Sequence, residues 1–252
     1  MAEELGRITK PDAEQFKNGR RLFLVPLIFT PPSPPKELQE IVEHYWQEAL
    51  SQIHGLESRI GRVKRFYHEM IALDGESGLS MLASLNSGSY NLARKMIEQG
   101  GEFTSIEDSD LLNEFMDWGR CLSTGLYSHK VLTTVLQSYQ NTQEQRNKEM
   151  ATRLDKSLGS DEIGLLVVTE NHRIQFPADI EVFFVAPPSL DEYKRWLRRQ
   201  EEPPKQEKPQ KEESKEREPA EAEKKEKPEP KAGESEGEKP QPPRKARKKK
   251  SS

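Results

Sequence analysis

From residue 201 to residue 252 the chain contains no Val, Ile, Leu, Met, Phe, Trp, Tyr or Cys. A stretch with nothing apolar to bury cannot offset the entropy lost on ordering its backbone. It carries 16 Lys and Arg, 14 Glu and nine of the 18 prolines, which predicts an extended, solvated tail. Whatever folds must lie before it. The preceding 200 residues hold 23 basic and 29 acidic side chains, a formal charge of −6 against +2 for the tail. The chain's overall −4 is therefore an average over two unlike parts. Two hundred residues suffice for one sizeable core. The expected organisation is a flexible N-terminus over 1–20, a globular domain over 21–199, and a disordered Lys/Glu/Pro-rich tail over 200–252.

The end of that tail differs from the rest. Arg244, Lys245, Arg247, Lys248, Lys249 and Lys250 place six cations in seven residues. Such density attracts RNA, DNA, ribosomes or other polyanions through phosphate charge alone. With no aromatic residue available to stack on bases, sequence-specific reading is not expected.

In the body, Leu22 to Phe29 is a short apolar run between Arg20-Arg21 and Pro31-Pro32, a strand pattern. Pro26 donates no ladder hydrogen bond and points to an edge or a bulge. Ser33 and Pro34 then suit a helix start, and Leu38, Ile41, Val42, Tyr45, Trp46, Ala49, Leu50 and Ile53 follow at 3,4 spacing. Val63, Phe66, Tyr67 and Ile71 mark a second strand, parallel to the first across that helix. Residues from about 75 to 125 read as helix throughout, a helical insertion with no strand signal. Ser128 to Leu158 predicts a long helix whose apolar stripe turns polar at Gln143 and Arg146. Ile163 to Val168, apolar except for Gly164, reads as a strand covered on both faces. Ile180 to Val185 predicts a last strand, and Ser189 with Glu192 a capping box. The expected fold class is α/β, a small, mainly parallel sheet with a large helical insertion.

Ligands of open α/β sheets bind beyond the carboxyl ends of strands. His68 and Glu69 end the second predicted strand, and Glu170 and His172 follow the third. His68, Glu69 and His172 offer a ligand set for Zn or Mn, and an imidazole with a carboxylate is also an acid and base pair near neutral pH. Neighbouring strand residues point to opposite faces, so His68 and Glu69 share one site only if a bulge intervenes. Arg146 on its helix face supplies a fixed cation, or else pairs with Glu144 or Glu149. Glu107, Asp108 and Asp110 suit the first turn of a helix, where carboxylates meet the positive dipole end. No GxxxxGK[ST] or GxGxxG phosphate loop occurs. The lone Cys121 excludes an intrachain disulfide, suits a buried helix position and fits a reducing, cytoplasmic setting. The opening MAEELGRITK predicts no secretory leader, and no long apolar run predicts a membrane span.

Arg146-Asn147-x-x-Met150-Ala151, followed by the end of a helix, a buried strand and His172, resembles the C-terminal signature of the TraB/PrgY and Tiki group, relatives of the erythromycin-esterase-like and ChaN-like proteins. The resemblance rests mainly on residues 146–172. It implies a small α/β sheet with a helical insert and a metal-dependent hydrolase site in which Glu69, Arg146 and His172 act. It also implies departures. Hydrolytic members carry a G-T-x-H-like motif after the first strand, where this chain has Ile28-Phe29-Thr30-Pro31-Pro32, and Glu170-Asn171 replaces the glycine before the last histidine. The site is then degenerate or altered. Two readings of function result: a cytoplasmic binding or adaptor protein whose basic tail engages polyanions, or a metal-dependent hydrolase with an altered site.

Overall fold

The computed structural model describes residues 19–201. The expected N-terminal segment and the tail with its basic tip lie, but for their innermost residues, outside the described residues. Within them the chain is an α/β fold. In order it forms β1 (Arg20–Pro26), α1 (Lys36–Ile60), β2 (Arg65–His68), α2 (Gly75–Leu85), α3 (Ser87–Glu98), β3 (Glu102–Phe103), α4 (Ser109–Ser123), α5 (His129–Ser157), β4 (Ile163–Val168), β5 (Ile180–Phe184) and α6 (Ser189–Glu201).

The five strands make one sheet in the order β3-β2-β4-β1-β5, every pairing parallel. β1 and β2, the expected neighbours, are separated by β4, which pairs with both. All six residues of β4 are buried, as its unbroken apolar run requires of a strand covered on both faces. Gly164 lets the Leu22 and Tyr67 side chains close in, since a Cβ there would stand 3.0 Å from Leu22 Cδ1 and Tyr67 Cε2 and both would have to shift.

Alternation along the strands divides the core in two. Phe23, Val25, Phe66, Leu165 and Val167 face α1, α2, α3 and α6, through Leu38, Tyr45, Ala49, Ile53, Leu82, Ala93, Met96 and Trp196. Leu22, Leu24, Tyr67, Leu166 and Val168 face the C-terminal half of α5, through Met150, Leu154 and Leu158, and the segment carrying Ile174 and Phe176. Each such leucine or phenylalanine contributes about 2 kcal/mol by leaving water.

Pro26 marks neither an edge nor a bulge. β1 is interior and Pro26 is its last residue, after which Leu27 N resumes pairing with Val168 O at 2.8 Å. The first helix starts at Lys36 behind Pro35, without a side-chain cap, and runs past His54 to Ile60. The helical insertion is interrupted by the two-residue β3, too short to carry a period. Ser189 Oγ forms no capping box; it donates to Glu48 Oε2 at 2.6 Å and ties α6 to α1. Cys121 is exposed, not buried.

Candidate functional site

β2 and β4 are neighbours whose chains depart in opposite directions. β2 continues through α2 and α3 to β3 on one side, whereas β4 continues through residues 169–179 to β5 on the other. Parallel sheets open a crevice at such a reversal. Glu69 lies at the carboxyl end of β2, its N–H still bonded to Val167 O at 2.9 Å. It follows Tyr67 by two residues and shares the α5 face of the sheet. Met70 then takes a left-handed φ of 74°, a conformation that costs a residue with a side chain about 1–3 kcal/mol.

Arg146, from α5, enters this crevice and is 2 % exposed. Its Nε donates to Glu107 Oε2 at 2.9 Å and its Nη2 to Glu69 Oε1 at 3.2 Å. Nη2 also meets Glu107 Oε1. Glu107 Oε1 further accepts from Met70 N at 2.9 Å, so the strained turn is held by the same carboxylate that holds the guanidinium. Glu69 Oε2 accepts from Thr169 N at 2.7 Å, joining the ends of β2 and β4. The guanidinium lies over the Phe115 ring, 4.8 Å from its centroid, and Phe115 stacks on Tyr139. Burial opposes the Arg146 charge, but the Glu107 and Glu69 carboxylates more than offset it and its pKa stands above the ordinary arginine value. Two carboxylates against one guanidinium leave the group with a formal charge of −1.

His172 lies in the turn after β4, its backbone N–H bonded to Thr169 O at 3.1 Å and its ring against Phe176. It is half-buried, and its Nδ1 is buried with no hydrogen-bond partner among the described residues. Burial lowers its pKa below the usual 6.5, and the Glu69 charge acts in the opposite sense. The imidazole is therefore mainly neutral at pH 7, with one ring nitrogen uncommitted.

Glu69 and Arg146 thus come together, and His172 stands in the turn three residues beyond Thr169, the residue whose N–H bonds Glu69. His68 does not join them. It follows Phe66 by two residues on the opposite face of the sheet, is fully buried, and bonds through Nδ1 to the Glu69 carbonyl while Nε2 has no partner among the described residues. Burial pushes its pKa down to about 4. Among the described residues no three His, Cys, Asp or Glu are grouped so as to hold a metal ion. The expected set of His68, Glu69 and His172 is split by the sheet, and Glu69 is already engaged by Arg146 and Thr169, so these residues do not fit Zn or Mn. The residue missed from sequence is Glu107. It precedes α4, whose N-cap is Asp108, and its carboxylate serves Arg146 rather than a helix dipole. A cation on an otherwise apolar helix face requires buried counter-charge, and that was its only signal. Glu144 and Glu149 are not the partners of Arg146; Glu149 pairs with Arg153.

Comparison with known proteins found no matching family, no matching curated protein and no matching solved structure. Among the described residues no helix is long and apolar enough to cross a membrane.

Proposed function

We propose that the body carries an acid–base site of hydrolytic type at the β2–β4 crevice. His172 acts as the general base toward water or a substrate hydroxyl, Glu69 is the carboxylate whose charge favours the imidazolium formed when it takes the proton, and Arg146 is the positioning residue that fixes Glu69. What supports this reading is the Glu69–Arg146 pair and the Glu69–Thr169 bond at the point where the sheet connections reverse, with His172 three residues beyond Thr169 in the same turn. A neutral imidazole beside an ionised carboxylate suits proton removal near pH 7. This is the hydrolase that the TraB/Tiki resemblance implies, in altered form, with the proton chemistry assigned to side chains. The test is turnover of p-nitrophenyl acetate and butyrate by the full chain, by His172→Asn and by Glu69→Gln, with and without EDTA. A loss of about 100-fold or more in kcat/KM for His172→Asn is expected, with no effect of EDTA. Equal turnover by wild type and both variants refutes the assignment.

A second reading rests on the six cations between Arg244 and Lys250: a cytoplasmic binding protein whose tail engages RNA, DNA or ribosomes without sequence preference. Removing residues 201–252 should abolish a steeply salt-dependent affinity for a single-stranded RNA oligomer. Binding unchanged by the truncation refutes it.

A further inference from the structure

α1 and α3 each lead into the amino end of the next strand, so they run side by side in one direction on the same face of the sheet. Between their outer sides lies a cleft of about 730 Å³, inside the roughly 300–1,000 Å³ usual for small-ligand sites. On α1 it is lined by Gln39, Val42, Glu43, Trp46, Gln47 and Leu50, a single stripe at 3,4 spacing about 17 Å long. Ser87, Gly88, Asn91, Leu92 and Lys95 of α3 form the other wall, and the turn after β1 closes one end together with the α2–α3 joint. The cleft is on the opposite face of the sheet from α5 and shares no residue with the Glu69–Arg146–Glu107 group.

Trp46 is the floor. Its indole packs so closely on the Gly88 backbone that a Cβ there would stand 2.0 Å from Nε1 and 2.3 Å from Cδ1, and it meets Tyr45 edge-on with ring centroids 5.0 Å apart. The ring is thereby fixed between both helices while staying partly exposed to the cleft. Asn86 commits both ends of its amide to the scaffold, donating to Ile28 O at 2.8 Å and accepting from Ser89 N at 2.9 Å, so the α2–α3 joint is tied to the end of β1. The side chains of Thr30, Ser84, Ser87 and Asn91 also line the cleft and have no hydrogen-bond partner among the described residues.

The lining selects the chemistry of its ligand. Of its 19 residues only Glu43 and Lys95 are charged, in a chain that is 33 % charged. Glu43 accepts from Gln47 Nε2 at 3.2 Å, and the neighbouring Lys36–Glu40 and Arg94–Glu98 pairs satisfy each other outside the cleft. One lysine does not make a phosphate site. A wholly apolar ligand would cover amides and hydroxyls without replacing the water they lose. A neutral molecule with an apolar ring face and many hydroxyls meets both conditions. A sugar ring lays its C–H face on an indole, and each of its hydroxyls both donates and accepts, as Asn, Gln and Ser side chains do. The length of the α1 stripe calls for a short oligomer rather than one ring. We propose that the α1–α3 cleft binds a neutral oligosaccharide, with Trp46 as the stacking platform and Gln47, Ser87 and Asn91 as its hydrogen-bonding rim.

Calorimetric titration of the full chain with maltotriose, cellotriose and triacetylchitotriose, each to about 10 mM, tests this. At least one should bind one to one with a Kd of about 1 mM or tighter, changing less than about threefold between 50 and 500 mM salt because no ion pair is made. Trp46→Ala should weaken that binding about tenfold or more. Gln47→Ala and Asn91→Ala, both at exposed positions, should each weaken it about threefold to tenfold. Lys95→Gln, which removes the only cation of the lining, should change it less than about threefold. Far-UV circular dichroism establishes that each variant is folded. Absence of binding by all three sugars overturns the proposal. Equal affinity for the neutral peptide triglycine overturns it in favour of a peptide groove, and affinity abolished by Lys95→Gln overturns it in favour of an anion site. Sugar binding that Gln47→Ala, Asn91→Ala and Trp46→Ala all leave unchanged places the sugar elsewhere and also overturns it.

Discussion

Replacing Arg146 by Met should destabilise the protein more than almost any other single change on this face of the sheet. The guanidinium is 2 % exposed and is shared by two carboxylates, Glu107 itself being 1 % exposed. Glu107 would lose Arg146 Nε from Oε2 and Arg146 Nη2 from Oε1 and keep only Met70 N, and Glu69 would keep only Thr169 N. Two like charges would then face each other in a dry pocket. Removing one partner of a buried ion pair costs about 3–5 kcal/mol, because the remaining charge is left without compensation. For a domain whose total stability is of order 5–15 kcal/mol, that is about a fifth or more. With a urea dependence of about 2 kcal/mol per molar, the midpoint should fall by roughly 2 M at pH 7.5. Acid should narrow the gap. In the variant one carboxyl lowers the repulsion by taking up a proton on folding, so the variant retains stability at low pH and loses it as pH rises through neutrality. Glu107→Leu combined with Arg146→Met, which removes a complete pair, should cost less than Arg146→Met alone. A midpoint within about 0.5 M of wild type at pH 7.5, or a deficit that grows toward pH 5, would refute this account of the triad.

His68 provides an independent acid-sensitive element. Burial holds its pKa at about 4, so the unfolded chain binds its proton first. Stability is intact above pH 6.5 and declines as pH falls from 6.5 toward 4, by about 3 kcal/mol over that window. His68→Gln should flatten the decline measured by urea unfolding, and coincident pH dependences for variant and wild type would count against it. Gly88→Ala tests packing between α1 and α3. A Cβ at that position would come 2.0 Å from Trp46 Nε1, so the indole must move, at about 1–3 kcal/mol. Near-UV circular dichroism should register the displaced ring, and an unchanged spectrum with unchanged stability would show that the approach is not tight.

The elements whose apolar residues repeat over several turns or fill a whole strand were legible from sequence. α1, α5 and β4 lie where their patterns put them, because burial on one stripe or on both faces leaves a periodic trace. β3 left none, since two residues cannot show a period. The strand order was also hidden. Nothing local to Ile163–Val168 says that it slots between β1 and β2, and that is decided by how the two cores close. For the site, Arg146 stood out because an arginine on an apolar stripe is anomalous, and Glu69 and His172 because they end strands. Glu107 was read correctly as a residue beside a helix start and wrongly as a dipole partner, since its true partner lies 39 residues further along the chain. The alternation rule that separated His68 from Glu69 was already sufficient to break the metal set, and among the described residues no three such ligands are grouped.

The insertion of β4 between β1 and β2 has a consequence for how the chain is made. β2 ends at His68 and β4 ends at Val168, so synthesis must run another hundred residues, about 5–20 s at usual elongation rates, before the central pairings exist. During that interval β1 and β2 each expose an apolar edge that no earlier part of the chain can cover. A nascent chain of this topology is therefore most vulnerable to edge-to-edge association while the α4–α5 hairpin is emerging, and the Glu69–Thr169 bond is among the last that can form.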